Sequence, residues 1–321
     1  MDREMNAINY RLLKKKDLDS YFELTEICFK ESNEFQRVDL EKLKKTIKSF
    51  FNPILKSLFS VLGAKFYYYI AEVDGKIVGA TTLSCVKNKG LISAVMTHPD
   101  HRRKGIARKL FNMASQKAIE HKKEFLWLDV DAQNVGAKKL YENEGFIQYY
   151  HYGIFEYDLN QLVKQKADET SLLKEIDETD LNYIDGILED IFPKEYWKYK
   201  EREKELKRYN LLKRRGLISK IASRKTKHLG IFKSENNSPD SYMILKYDRF
   251  TNGYAIESPI IKEKDAHSII EIIPQLLDLL QNEESKKLTF TFSIHRKELI
   301  KNLEKAGFTK AYEMLEMIKE I

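Results

Sequence analysis

Six consecutive residues in the first half of the chain, Arg102-Arg103-Lys104-Gly105-Ile106-Ala107, have the types and order needed to hold a polyanion. An apolar, strand-like run precedes them and ends at Thr97, and a stretch with helical spacing opens near Gly105. The first backbone N–H groups of a helix have no acceptor inside it, and they carry the positive end of its dipole. A phosphate fits that arrangement. Gly105 removes a side chain where an anion must approach closely, and Ala107 keeps the next approach small. Arg102, Arg103 and Lys104 add positive charge at the mouth.

A second cluster follows in Leu126–Phe146, which reads as a strand, a polar turn at Asn134 and a helix ended by Gly145. Tyr141 on that helix is either a proton donor or a packing aromatic on an amphipathic face. Asp129 and Asp131 on the strand are either hydrogen-bonded surface carboxylates or a base. His98 and His101 flank the loop as surface residues, and neither supports a metal site. Cys28 and Cys85 have no zinc-ligand spacing and are too few for a disulfide framework. They read as reduced, buried thiols, and a cytoplasmic protein is expected.

The two clusters together resemble the GNAT (GCN5-related N-acetyltransferase) superfamily. Arg102, Gly105 and Ala107 match its Arg/Gln-x-x-Gly-x-Gly/Ala loop. Asn134, Ala137, Leu140, Tyr141, Gly145 and Phe146 match its second motif, in a form especially like that of ribosomal-protein alanine acetyltransferases. The resemblance implies acetyl-CoA as co-substrate, with its pyrophosphate on the amides of Arg102–Ala107. Asn134 and Ala137 would lie along the CoA arm, and Val95, Met96 and Thr97 on the strand before the loop. It implies direct attack of a neutral amine on the thioester. A backbone N–H near Val95 or Met96 would meet the developing oxyanion, and Tyr141 would act as general acid. The acceptor would be a small amine or a protein N-terminus. One part of the family pattern is missing. Leu91–Ala94 carries no carboxylate, Ser93 being the nearest polar residue, so the general base is open between Asp129 and Asp131.

These residues need a framework. Strands are expected at Ile8–Leu13, Phe66–Val73, Lys76–Val86, Gly90–Thr97 and Phe125–Val130, with Asp74-Gly75 as a hairpin turn. Helices are expected over Asp17–Phe29, capped by Asp17, and over Gly105–His121 and Val135–Glu144. Val38–Leu62 reads as a longer amphipathic core segment with Leu40, Leu43, Ile47, Phe50, Ile54 and Leu58 on one face, divided or kinked at Pro53. Aromatic, alternating strands over Phe146–Leu159 complete the first half.

The 321 residues suit two domains, with 42% hydrophobic, 12% aromatic and 33% charged residues of mixed sign. The polar stretch 160–171 is the expected boundary, giving domains over 1–160 and 171–321. The second half repeats the plan of the first: an offset of 162 superposes Leu126–Phe146 on Leu288–Phe308 without a gap. The expected fold is α/β, as tandem GNAT-like domains, each a central, mostly antiparallel sheet flanked by helices. At the same offset Lys264, His267 and Ile269 replace Arg102, Gly105 and Ala107, while Arg296 and Leu303 replace Asn134 and Tyr141. The second domain therefore reads as degenerate and non-catalytic.

The net charge of +7 is weak support for polyanionic ligands. No apolar run is long enough for a membrane span, and no membrane partner is expected. Tyr196–Lys227 mixes bases with Trp197, Tyr199 and Tyr209, but glutamates alternate with them, so a solvated helix outweighs a nucleic-acid surface. Three functions stand: an N-acetyltransferase, a CoA-binding regulatory protein without turnover, and a nucleic-acid-associated protein using residues 196–227. Oligomeric state is not legible.

Overall fold

A computed structural model describes residues 7–30, 39–161, 172–177, 179–210, 226–232, 239–248, 250–281, 283, 285 and 287–321. The chain forms two compact units, Met1–Gln148 with Glu316–Ile321, and Tyr149–Leu315. The division falls earlier than the 160–171 stretch, of which residues 162–171 lie outside the described set.

The first unit contains β1 (Asn9–Leu12), α1 (Leu18–Phe29), α2 (Leu40–Phe50), α3 (Pro53–Val61), β2 (Ala64–Val73), β3 (Lys76–Val86), β4 (Lys89–Thr97), α4 (Ile106–Glu120), β5 (Phe125–Asp131) and α5 (Val135–Asn143). Its strands run in the order β1-β2-β3-β4-β5, antiparallel except for β4 and β5. Ile321 at the chain's end adds a hydrogen bond to Glu124 just before β5 (3.0 Å). Asp74 (φ 50°) and Gly75 (φ 76°) make the tight β2–β3 turn, both in the left-handed region that such hairpins require.

Apolar residues of α1, α2 and the strands, among them Phe22, Leu24, Ile47, Ile70 and Met96, form the core on one face. On α4, Ile106, Leu110, Phe111, Ala114 and Ala118 are buried. Gly79 on β3 lets α4 come close: a Cβ there would stand 2.6 Å from Ile106 Cγ2.

Two expectations need correction. Asp17 does not cap α1. Its carboxylate is taken by the Arg11 guanidinium (2.6 Å) and the Lys14 amide (2.8 Å), and Arg11 also binds Glu72 on β2. The Val38–Leu62 segment divides at Pro53 into two helices as expected, but its second half does not keep the expected core face. Asn52 accepts from the amides of Ile54 (2.9 Å) and Leu55 and caps α3, with Pro53 in its first turn. This restart turns the helix, so Ile54 and Leu58 are 79% and 52% exposed while Phe59 packs on Phe50 and Phe66.

The second unit holds β6 (Ile147–Asp158) from Tyr149 onward, β7 (Leu173–Glu175), α6 (Leu181–Ile191), α7 (Arg202–Tyr209), β8 (Thr226–Ile231), β9 (Ser241–Asp248), β10 (Gly253–Glu257), α8 (Ser268–Asp278), β11 (Lys287–Ser293) and α9 (Lys297–Lys305). It also contains β12 (Thr309–Glu320) as far as Leu315. The expected aromatic strands after Phe146 are one continuous strand, β6, which pairs with β11. From β6 the order runs β11-β10-β9-β8-β7, antiparallel except for β10 and β11, over a core that includes Phe155, Leu245, Ile256, Ile272, Phe290 and Leu303.

The internal repeat extends well beyond the 21-residue echo. Shifting β5, α5 and β6 by 162 residues reproduces the bounds of β11, α9 and β12. Asn134 and Arg296, which precede the two helices, share φ −82° and have ψ 70° and 68°. Gly145 and Gly307 beyond their ends have φ 87° and 89°. Among the described residues no helix is long and apolar enough to cross a membrane.

Candidate active site

The parallel ladder between β4 and β5 is short. It pairs Lys89 with Phe125, Gly90 with Leu126 and Leu91 with Trp127, and goes no further. Beyond that point the strands part, and β4 carries a bulge. Ala94 has φ 51°, and the register with β3 slips so that Ala94 and Val95 stand opposite Thr81 alone. Such a bulge bends the strand and takes one residue out of ladder pairing. It falls at Ala94–Val95, where the oxyanion donor is expected. Met96 points into the core and Val95 is half-buried. The Thr97 hydroxyl is buried without a hydrogen-bond partner among the described residues.

After Thr97, His98 accepts the Asp100 amide through Nδ1 (3.3 Å) and caps a single 3-10 turn, Pro99–His101. Arg102 donates from Nε back to the Thr97 carbonyl (3.3 Å). Arg103 (φ 61°) and Gly105 (φ 76°) both take left-handed backbone, which reverses the chain into α4. No side chain caps this helix start. Arg102, Arg103, Lys104 and Gly105 are exposed, Ala107 is half-buried and Ile106 is buried as the anchor under Gly79. A Cβ built on Gly105 meets nothing within 4 Å. The loop is therefore an uncapped helix start behind an open space rimmed by cations, as an anion site requires. Cys28 lies half-buried near this loop, beside the Thr97 backbone and Arg102, and burial raises its thiol pKa despite that guanidinium.

At the end of β5, Asp131 accepts the amide of Gln133 (2.8 Å), and its carbonyl accepts that of Asn134 (2.9 Å). Asn134 in turn accepts the Ala137 amide (3.1 Å) and caps α5. Asp131 thus builds the turn that presents Asn134. Asp129 is exposed on β5, two residues back and on the same face. Tyr141 is 6% exposed, its ring 6.0 Å from Phe111 and 6.3 Å from Phe146, and burial pushes its phenol up to about 12. The hydroxyl has no hydrogen-bond partner among the described residues, so Tyr141 packs and also keeps its proton at neutral pH.

Because β4 and β5 run parallel, their C-terminal ends, and with them both motifs, lie at one edge of the sheet. Phe111 against Tyr141, and Arg108 Nε to Glu144 (2.8 Å), tie α4 to α5. The sequence reading missed the Ala94 bulge, the His98 cap and the Arg108–Glu144 link. Gly79 inside an apolar strand was the one available signal, since such a glycine marks a close backbone approach. Among the described residues no three His, Cys, Asp or Glu side chains are placed to hold a metal ion.

The basic stretch looks different in place. Arg202, Lys204, Lys207 and Arg208 pair with carboxylates, and Tyr196 and Tyr209 are buried. Residues 211–225 of that stretch lie outside the described residues.

An open, cation-rimmed helix start thus lies beside splayed parallel strands. Residues 23–146 match the acetyltransferase (GNAT) family model, and this domain of the chain belongs to the GNAT superfamily. An uncharacterized N-acetyltransferase of Methanocaldococcus jannaschii is 28% identical over 143 residues, 42% of this chain and 59% of the relative. Another, from the pepI 3′ region of Lactobacillus delbrueckii subsp. lactis, is 29% identical over 91 residues, 26% of this chain and 53% of the relative. The matches thus span little more than half of either relative. A tandem GNAT protein from the clavulanic acid biosynthesis pathway aligns over 98% of both chains at a TM-score of 0.58 and 13% identity. A GCN5-related N-acetyltransferase from Sphaerobacter thermophilus aligns over 98% of this chain and 95% of its own at 0.61 and 12%. At those identities the likeness establishes the fold, tandem GNAT-like domains over the whole chain.

Proposed function

We propose that the first unit is an acetyl-CoA-dependent N-acetyltransferase acting on a primary amine, either a small molecule or a protein N-terminus. The observation that carries this reading is the open, uncapped helix start at Gly105 beside the parted β4 and β5 strands. The amides around Arg103–Ala107 would take the pyrophosphate, and the cleft between the strands the pantetheine arm. Asn134 and Ala137 would flank that arm.

In the reaction the amine lone pair forms a bond to the thioester carbonyl carbon and the C–S bond breaks. A bulge amide near Val95 or Met96 holds the oxyanion in between. Tyr141 gives its proton to the leaving sulfur, and the proton lost by the amine passes to Asp129, Asp131 or water. The names of the curated relatives, both N-acetyltransferases, agree with this reading.

A rival reading, a CoA-binding regulator without turnover, draws on the absence of a carboxylate from Leu91–Ala94 and on the packing of Tyr141. The deciding experiment incubates the chain with acetyl-CoA and an amine library, reading free thiol and acetylated product by mass spectrometry. Product that falls at least 10-fold with Tyr141→Phe supports the enzyme and the acid role. Tight binding with no product from any amine favours the regulator. Unchanged turnover in the phenylalanine variant removes Tyr141 from the chemistry.

A further inference from the structure

The two units use the same local backbone differently where their parallel strands part. In the first, β4 and β5 separate after Leu91 and Trp127. In the second, β10 and β11 pair from Tyr254–Leu288 to Glu257–Thr291, and the Ser258 amide still donates to the Thr291 carbonyl (2.7 Å). At the 162-residue offset Thr291 stands for Asp129, two residues beyond the last paired position of β5. The pairing also fixes how the preceding strands correspond: Leu126 faces Gly90 and Leu288 faces Tyr254, so β4 and β10 match at an offset of 164, as do the left-handed residues Ala94 (φ 51°) and Ser258 (φ 48°). The second cleft is thus zipped two residues further along.

What remains of that cleft is filled from within. Arg296, the counterpart of Asn134, is 2% exposed. Its Nη1 donates to the Pro259 carbonyl (2.9 Å), its Nη2 donates to the Ile261 carbonyl, and its Nε lies 3.5 Å from the Glu263 carboxylate. Its guanidinium carbon is 5.8 Å from the centre of the Phe292 ring. At the 164-residue offset of these strands Pro259 and Ile261 stand for Val95 and Thr97, so this side chain spans the gap that is open in the first unit. Tyr209 adds a clasp, its buried hydroxyl donating to the Ser258 carbonyl (2.8 Å).

The surroundings suit a cation and oppose a phosphate. The 3-10 turn Glu263–Asp265, which matches Pro99–His101 of the first unit, carries two carboxylates. His267 replaces Gly105, and its φ of −61° is ordinary helical backbone rather than the left-handed turn at Gly105. Two carbonyls, a carboxylate and an aromatic face are what a planar, forked, cationic donor requires. Burial pulls the Arg296 pKa down and the facing Glu263 pushes it up, and an arginine keeps its charge under that opposition.

We infer that the second unit holds a guanidinium site in place of a nucleotide site, with Arg296 as its resident ligand, so that the chain binds acetyl-CoA in the first unit alone. The stoichiometric half of this inference rests on the proposed function; the guanidinium site does not.

Both halves are tested on the full chain. Arg296→Gly is expected to melt roughly 10 °C lower, as loss of one partner from a buried charged cluster does. Millimolar ethylguanidinium should restore part of that loss, ethylammonium should restore none, and the wild type should respond to neither. Equal melting of variant and wild type, or equal rescue by both cations, would overturn the site. If the glycine variant fails to fold, Arg296→Lys decides, since it keeps the charge but cannot fork to two carbonyls. A melting loss of several degrees supports the site, and wild-type melting overturns it.

Native mass spectrometry should show one acetyl-CoA on the wild type and none on Gly105→Asp. Two on the wild type, or one retained by Gly105→Asp, refutes the exclusion of acetyl-CoA from the second unit. No acetyl-CoA on the wild type sinks the proposed function, and ethylguanidinium rescue still judges Arg296.

Discussion

Replacing Gly105 with alanine separates what the residue does for the fold from what it does for a ligand. At φ 76° an alanine pays the left-handed backbone penalty, about 1 kcal/mol. The new methyl meets no protein atom within 4 Å, so no packing cost adds to this. For a domain of this size that corresponds to a melting shift of about 2–4 °C. Binding should suffer more, because the methyl projects into the space an anion must enter. Each amide-to-phosphate hydrogen bond lost or lengthened costs about 1.5–3 kcal/mol, so loss of one predicts roughly 10- to 150-fold weaker acetyl-CoA binding. The matched control is Gly63→Ala, with φ 77° and equally open surroundings but placed after α3. Both variants should melt alike, and only the first should lose affinity in calorimetric titration with acetyl-CoA. If Gly105→Ala binds within twofold of Gly63→Ala, the loop is not the phosphate cradle.

Three further substitutions test the supports of the site. Gly79→Ala puts a Cβ 2.6 Å from Ile106 Cγ2 and 3.2 Å from the Met96 carbonyl, so it should cost about 1–3 kcal/mol in thermal or urea unfolding. It should also weaken acetyl-CoA binding by displacing the first turn of α4; intact binding would show that turn to be tolerant. Asn134→Asp keeps the oxygen that caps α5 but removes the side-chain amide, so stability should hold while binding weakens. Asn134→Ala should lose binding and also about 1 kcal/mol of stability. Wild-type binding by the aspartate variant would leave Asn134 with the cap alone. Asp17→Asn should cost about 1–2 kcal/mol at neutral pH by breaking the Arg11 bridge. Arg11 holds the Asp17 carboxyl below its usual range, so the bridge's stability is present above about pH 3.9 and fades as pH falls through the folded-state value. Wild type and variant should therefore converge in acid melts, and a gap that stays constant to low pH would rule out the ionic origin.

The sequence signals succeeded where a local rule decides geometry. Asp74-Gly75 forms its hairpin turn, Gly145 and Gly307 end their helices in left-handed backbone, and the Gly-Phe echo reports a repeat that runs through matching strands and helices. They failed where a competing partner or a second signal overrides the first preference. Asp17 has a capping residue's type and position, but Arg11 and Lys14 reach its carboxylate first. Ile54 and Leu58 continue the periodicity of α2, but Asn52 and Pro53 restart the helix and turn them outward. The Ala94 bulge has no local signature, since it arises from the pairing of β4 with β3. Tyr141 was legible as a position and not as an environment. Its motif is what proposes a role for it, while its packing on Phe111 and Phe146 is what any aromatic on that face would do.

The two units show how little of this backbone is committed to chemistry. The helix after β5 and the helix after β11 start from nearly identical backbone angles and end in the same glycine conformation. Fold alone therefore cannot distinguish a nucleotide site from its absence. The distinction lies in a few choices: a left-handed glycine or a helical histidine, an exposed asparagine or a buried arginine, a ladder that stops at Trp127 or one that continues to Thr291. These choices depend on each other. Parted strands expose backbone carbonyls and amides that need a partner. In the second unit Arg296 supplies that partner at every moment, while in the first the space at the loop is open, and the proposed function gives it to a ligand that comes and goes. Under the proposed function the spent co-substrate must leave each cycle, so the site that would turn over is the one without a covalently tethered occupant.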